Sequence, residues 1–505
     1  MNQPESSQPE SSPSQPSSAR SYPTLRQILL LLLLTAGAIA VHGYHPYVED
    51  GEIYIPPIKR ALDPRLYPYN AAFFLSHAHM TFFPELITAS IRATWMPVEW
   101  ALLAWQFVAI FLLLLGCWHL GRLAFPAPLA RWGGVALVGA LLTIPVAGTA
   151  LYIMDPYLTP RSLSAPAVIF LVVNTAERKL LRAALWAMFT ALIHPLMIVF
   201  GISYAAILLW MNRTSRRTPA PAALLLLPFG LFPPVTAAYR EVLQTRPYFF
   251  LARWHWYEWL GLLAPMALIW WFGRLAREHN LPMLNLFCRA AMVFAWFWLL
   301  ISMGMTLPPG LARFAELQPM RYLHLLYILL FVFAGGLLAQ FVLKTHLWRW
   351  LVLFVPLCSA LWFVQRRIFP ATAHIEWPDS QHTKNDWVRA FLWIRQHTPR
   401  DAYFALNPEH MELRGEDEHG FRAGAERSML ADAVKDSGAV AMFPAMAESW
   451  REQVQAERGW EGFQTEDFRH LKQEFGVDWV VLDRAQRADL NCPYRNESVR
   501  VCRID

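Results

Sequence analysis

The sequence predicts a polytopic α-helical membrane protein of about eleven or twelve membrane helices, with a small α/β soluble domain at its C-terminus. Three observations predict it. Of 505 residues, 55% are hydrophobic and 16% are charged, against about 25% charged in ordinary soluble proteins. The deficit is local: apolar blocks near the roughly 20 residues that cross a bilayer recur between positions 25 and 365. Residues 371–505 then return to an ordinary mixture, so one chain is written for two solvents.

Residues 1–22 are rich in Ser, Pro and Gln and carry too little apolar surface to order themselves, which predicts a disordered tail. The leucine run 25–41, with Arg20 and Arg26 at its start, reads as an uncleaved first helix, because no small-x-small cleavage site follows it. A long outer loop, 42–96, comes next. Its stretch 84–95 is amphipathic and suits the membrane interface. Further apolar spans follow at 97–118, 132–151, 163–176, 183–211, 221–238, 258–273, 287–306, 321–343 and 347–364. The block 183–211 is long for one helix and short for two. Basic clusters flank it (Arg178, Lys179 and Arg182; Arg213, Arg216 and Arg217) and His194-Pro195 interrupts it, so it reads as a broken hairpin returning to its starting side.

That hairpin sets the orientation. With a cytoplasmic N-terminus, the basic loops 122–131, 177–182, 212–217, 274–289 and 344–349 all lie inside, as lysine and arginine retention requires. The membrane domain 23–370 then holds its first loop outside, and the domain 371–505 is extracytoplasmic. Within that domain, 386–397 and 466–475 read as helices, and 402–406, 477–482 and 498–504 as strands. The formal charge of +6 lies in short clusters between apolar blocks, so it reports topology and not nucleic acid.

Five cysteines do not make a disulfide scaffold. Cys117, Cys288 and Cys358 lie in or beside apolar segments as small hydrophobes, whereas Cys492 and Cys502 can pair across a terminal hairpin if the domain lies outside. There is no Cys-x-x-Cys-His, His-Glu-x-x-His, phosphate loop or dinucleotide fingerprint. No organic cofactor is therefore expected; a divalent cation stays open.

The first loop opens with His45-Pro46-Tyr47-Val48-Glu49-Asp50-Gly51-Glu52. Three carboxylates beside a membrane surface suit base catalysis or cation binding. The alternative is that Asp50 caps a helix running through Ile58 and Lys59. Asp155, before Pro156-Tyr157 and six residues ahead of Arg161, is a second acidic site or the cap of a turn. Arg246, Arg253, Arg313 and Arg321 are outer-loop cations that positive-inside retention does not explain, so they invite an anionic ligand or anchor lipid headgroups. The stretch 254–259 is an interfacial aromatic belt containing His255. His194 is an ionisable group inside an apolar block, which is expensive unless it works or satisfies the broken helix. Arg422 and Arg427 read as a surface ion-pair cluster or a polar contact with the membrane domain.

Together these pieces resemble the GT-C superfamily of membrane glycosyltransferases, especially its poorly characterised bacterial relatives. The likeness lies in the first helix, the acidic pair Glu49-Asp50 just after it, the many later helices and the α/β tail. It also lies in Leu158-Thr159-Pro160-Arg161, Leu192-Ile193-His194-Pro195, Trp387-Val388-Arg389-Ala390 and Val477-Asp478-Trp479-Val480-Val481. The resemblance implies transfer of a sugar from a polyprenyl-phosphate carrier to an extracytoplasmic acceptor, in the inner (plasma) membrane of a bacterium. It implies Asp50 or Glu49 as catalytic base, with Asp155 in support. Arg161, His194, Arg253, His255, Arg313 and Arg321 become the candidate substrate-binding residues. Membrane lipids and the lipid-linked donor are the expected partners, with no signal for an oligomeric state. The acidic cluster departs from the family in having three members with Gly51 among them, so the base is ambiguous within it. The rival readings are a transporter or flippase, and a noncatalytic scaffold of the same fold.

Overall fold

The structure, a computed structural model, describes residues 23–212, 235–378 and 383–505. The expected tail 1–22, positions 221–234 of one expected span, and the cluster Arg213, Arg216 and Arg217 lie outside the described residues.

Helix α1 (Leu25–His42) delivers the chain to one end of the membrane domain. The segment after it, expected as a loop, is mostly helical: α2 (Gly51–Leu62), α3 (Ala72–Ala78) and α4 (Phe83–Thr94). In α4 the buried residues Phe83, Ile87 and Ile91 fall four apart on one face, the spacing of an amphipathic helix. It ends at Trp95, which adopts a left-handed conformation and is 91% exposed. The interfacial stretch 84–95 is thus a helix with its apolar side turned toward the protein.

The apolar core then follows as α5 (Val98–Ala124), α6 (Pro128–Ala140), the short hairpin β1 (Pro145–Val146) and β2 (Leu151–Tyr152), and α7 (Pro160–Ala176). Every residue of α7 is buried. The block 183–211 folds as α8 (Leu180–Ile193) and α9 (Pro195–Met211). These two helices return on themselves: Arg178, just before α8, donates to the carbonyl of Asn212, just after α9. Proline at 195 opens the turn, and the freed carbonyls of Leu192 and Ile193 accept from the Phe82 amide and the Thr81 hydroxyl.

After α10 (Ala237–Gln244) come α11 (Trp256–Glu278), α12 (Pro282–Thr306), α13 (Tyr322–Leu337) and α14 (Leu347–Ile368). Helices α6 and α13 touch backbone to backbone: a Cβ on Gly133 would stand 2.3 Å from the Gly335 carbonyl oxygen. Small residues permit such an approach where apolar burial alone gives helices no preference for one another.

Among the described residues, six helices are long and apolar enough to cross a membrane: α1, α5, α11, α12, α14 and the stretch Leu311–Leu343 that contains α13. The chain is a multi-pass membrane protein. The expected number also counted spans on α6, α7, α8 and α9, of 13, 17, 14 and 17 residues, and the span 221–238, most of which lies outside the described residues.

The tail is a small α/β domain: α15 (Asp386–His397), β3 (Tyr403–Ala405), α16 (Phe421–Ala425), β4 (Ser428–Met429), α17 (Asp436–Met442), α18 (Ala447–Ala456), α19 (Thr465–Phe475), β5 (Trp479–Asp483), β6 (Asn491–Arg495) and β7 (Val499–Arg503). Its sheet runs β4-β3-β5-β7-β6, parallel across the first three strands and antiparallel across the last three. A disulfide joins Cys492 to Cys502 across β6 and β7. The domain does not stand apart. Phe73 of α3, Tyr239 and Val242 of α10, and Val440 and Trp450 of the tail share one buried cluster.

Candidate active site

A cavity of about 440 Å³ opens where the first-loop helices, the start of α7, the α8–α9 turn and the tail meet. Glu49, Asp50, Asp155, Arg161, His194 and Arg321 all line it. Residues 385 positions apart in the chain come together there.

Asp50 occupies the cap position of α2, yet its side chain makes no cap hydrogen bond. It turns instead to Arg161. The Arg161 guanidinium donates to Asp50 Oδ2 at 2.9 Å and to Asp155 Oδ2 at 3.0 Å. Arg161 is placed by the first turn of α7. Thr159 and Ser162 cap that helix reciprocally and Pro160 opens it, an arrangement that fixes entry geometry. The Thr159 hydroxyl also donates to Asp155 Oδ2 at 3.2 Å, and Gln106 donates to the Asp155 carbonyl at 2.8 Å. Burial opposes charge on Asp50, but the Arg161 charge and hydrogen bond, with Arg321 further off, hold its carboxyl below the usual range. Burial raises Asp155, with Arg161 pulling the other way. Asp50 is thus an ionised, fixed carboxylate, 27% exposed to the cavity.

Glu49 sits in a left-handed backbone conformation, φ 53°, tied to the tail by its amide on the Glu418 carbonyl at 2.8 Å. Its carboxylate is paired with Lys435, whose Nζ also stands 3.5 Å from Asp50 Oδ1. Sequence reasoning missed Lys435. A single lysine in a polar tail carries no local signal, and only the docking of the tail brings it here.

Arg321 faces the cavity with its Nε buried and without a hydrogen-bond partner, and its side chain joins no ion pair among the described residues. Arg246, on the same cavity, is engaged by the Val434 carbonyl and by Ser437 Oγ. His194 caps α9 at the hairpin turn and looks into the cavity from the side. His77, from α3, was also missed. Burial lowers it to about 4, so it is a neutral neighbour at pH 7.

Three candidates stand elsewhere. Arg253 is exposed and lies over the Phe250 ring at 5.3 Å. His255 is exposed, caps α11 and stacks on Tyr257. Arg313 lies over Phe314 at 4.9 Å. None lines the cavity. Their residue types were readable, whereas the direction each side chain takes was not.

The third carboxylate of the first loop has a different place. Glu52 is fully buried and accepts from the amides of Arg422 and Ala423 at 2.9 and 3.0 Å. A Cβ on Gly420 would lie 2.2 Å from Glu52 Oε2, so glycine there makes the approach possible. Arg422 joins Glu52 to Asp436, and Arg427 donates to the carbonyls of Arg395 and Thr398. Both arginines are buried, which corrects the expected surface cluster. The pair fastens and orders the tail.

A divalent cation does not fit this site as it stands. Among the described residues no three His, Cys, Asp or Glu side chains are grouped to hold a metal ion, and the cavity carboxylates are turned to Arg161 and Lys435.

No known protein family matches the sequence, and no curated protein matches it. In fold, the chain is similar to the oligosaccharyltransferase of the archaeon Archaeoglobus fulgidus in its apo form. The TM-score is 0.50 at 13% identity, over 92% of this chain and 70% of that one. A structure of that enzyme in complex with Zn and sulfate gives 0.45 at 13% identity, over 90% and 67%. A third, of the same organism's oligosaccharyltransferase AglB with an inhibitory peptide and a dolichol-phosphate, gives 0.45 at 13% identity, over 90% and 69%.

Proposed function

From the GT-C fold that this multi-pass membrane protein carries, we propose that it is an integral membrane glycosyltransferase. It moves a sugar from a polyprenyl-phosphate carrier to an acceptor outside the cytoplasm of a bacterium. The observation that carries this reading is one cavity holding both an ionised carboxylate, Asp50, fixed by Arg161, and a cation, Arg321, with no acid of its own.

The chemistry follows from that pairing. Asp50 accepts the proton of the acceptor hydroxyl as its oxygen attacks the anomeric carbon. The bond from that carbon to the phosphate oxygen breaks, and its electron pair leaves with the carrier phosphate. Arg321 lies where the departing charge is met by a preorganised cation in a half-dry site. The proton on Asp50 then passes to water. Arg161 keeps Asp50 ionised and aimed, and Asp155 keeps Arg161 in place. Fixing such geometry supplies a large share of an enzyme's advantage in a two-substrate reaction.

Orientation agrees with the proposal. Arg122 and Arg277 fall in the last turns of α5 and α11, Arg131 in the first turn of α6, and Arg178, Lys179 and Lys344 in turns between helices, the bias of a cytoplasmic face. The tail at the cavity end carries a disulfide, the mark of an oxidising compartment. The test is native mass spectrometry of the purified protein. A co-purifying polyprenyl phosphate, or its glycosylated form, is expected, with its occupancy reduced in Arg321→Gln. Ordinary phospholipids alone, identical in both proteins, would remove the donor assignment.

A further inference from the structure

Two adjacent carboxylates at the edge of a half-buried cavity repel, and one of them retains its proton unless a cation sits between them. Here the cation is part of the chain. We propose that Lys435, delivered by the C-terminal domain, is the positioning residue for Glu49 and Asp50, doing with a fixed ammonium what a divalent cation does between such carboxylates. The proposal rests on the transferase reading of the cavity and adds to it the source of the positive charge.

Three features carry it. The first is the set of contacts already made. Lys435 Nζ pairs with Glu49 Oε2 and lies 3.5 Å from Asp50 Oδ1, while Arg161 takes Oδ2 of Asp50 and of Asp155. Hard divalent cations demand several oxygens converging on one point, and these oxygens diverge toward two organic cations. The second is charge. The carboxylates on the cavity, Glu49, Asp50, Asp155 and Glu412, are matched in number by Arg161, Arg246, Arg321 and Lys435; burial draws Lys435 down to about 7, so its ammonium is the form held below that pH. The third is how firmly the lysine is held. The Asp432 side chain accepts from the amides of Val434 and Lys435, and Arg246 grips the Val434 carbonyl and Ser437. A lysine that merely lay over an acidic patch would need neither.

The consequence is that the tail completes the site, because the membrane domain alone presents an acidic pair with no counter-charge on Glu49. The experiment uses the full-length protein, freed of metal in detergent and titrated with Mn²⁺, with free ion read by electron paramagnetic resonance. Wild type and Lys435→Arg are expected to take up no Mn²⁺ at about 100 µM, a weak-site concentration for such cations. Lys435→Gln is expected to take up one equivalent, which Asp50→Asn then removes. In parallel, transfer from the co-purified donor is measured with and without chelator. Wild type is expected to ignore the chelator. Lys435→Gln falls about a hundredfold, and Lys435→Arg stays within about tenfold of wild type, since its charge is kept though its geometry differs. Unchanged melting temperature and elution volume show that each variant is folded. Stoichiometric Mn²⁺ uptake by wild type that Asp50→Asn abolishes overturns the proposal, as does a folded Lys435→Gln that transfers like wild type. Absence of transfer in every protein, wild type included, overturns the transferase reading instead, and the Mn²⁺ titration still decides on Lys435.

Discussion

Asp50 and Glu52 are two positions apart at the start of one helix, and they do opposite things. Two residues turn a helix by about 200°, so the side chains leave on opposite sides. Asp50 faces the cavity, 27% exposed, where Arg161 holds its carboxyl below the usual range. Glu52 is fully buried against the tail, where burial pushes its carboxyl up while Arg422 pulls it down. A run of acids in a sequence is therefore not one site. The half-exposed member beside a cavity is poised to exchange a proton with a ligand, and the buried member, gripped by backbone amides, is a fastening.

The sharpest way to break this contrast is to neutralise each carboxylate in turn. On the transferase reading, Asp50→Asn lowers transfer about 10²–10⁴-fold, the range for a positioned acid or base. Its yield and melting temperature stay near wild type, since the group is partly solvated. Glu52→Ala has the reverse profile. Arg422 keeps its pairing with Asp436, but the buried amides of Arg422 and Ala423 lose their acceptor, a cost of about 1–3 kcal/mol for each unsatisfied buried group. Thermal unfolding and limited proteolysis of the tail are the readouts. If Asp50→Asn unfolds the protein, or Glu52→Ala leaves it as stable as wild type, the division of labour is wrong.

A smaller effect is expected from the tail's own staple. Cys492 and Cys502 close a segment with a sequence separation of 10, for which loop-closure entropy gives about 2–3 kcal/mol. Cys492→Ser with Cys502→Ser is expected to lower the unfolding temperature of the tail and to leave the Glu52 fastening intact, as followed by hydrogen exchange at the Arg422 and Ala423 amides. Early exchange at those amides would mean that the hairpin and the fastening unfold as one unit.

How much of this was legible in the sequence follows from the range of the signals. Membrane helices and the strands of the tail are written in local periodicity, so α1, α5, α11, α12 and α14 fall close to their expected spans, as do α15, α19 and β5. Helix α2 was legible in the alternative that put Asp50 at the cap of a helix through Ile58 and Lys59, and Asp50 does stand at its N-cap. Helix α3 has only seven residues, too few to show an alternation. The acids and Arg161 announced themselves by residue type beside a membrane boundary. His77 and Lys435 did not, because their role exists only after α3 and α17 have docked. Arg253, His255 and Arg313 show the reverse: their residue types were readable, but their side chains lie against neighbouring rings and do not line the cavity.

A third carboxylate refines the comparison, because it fastens like Glu52 but to groups that titrate. Glu376, just after α14, lies between His45 Nδ1 at 2.7 Å and His419 Nε2 at 3.1 Å, joining the first loop to the start and body of the tail. Burial opposes its charge, yet His419 and His45 hold it down to about 2. Burial likewise opposes charge on His419, and Glu376 raises it above its ordinary value. The signs follow by linkage. The Glu376 share of stability is present above its ordinary 4.5 and is lost as pH falls toward 2. The His419 share is full below its ordinary 6.5 and is lost as pH rises through the raised value. The fastening is therefore strongest between about pH 4.5 and 6.5. Melting temperatures of wild type and Glu376→Gln should differ most in that window and converge as the medium becomes alkaline. A difference that widens with rising pH would show that Glu376 is held by fixed charges, as Glu52 is, and not by its two imidazoles.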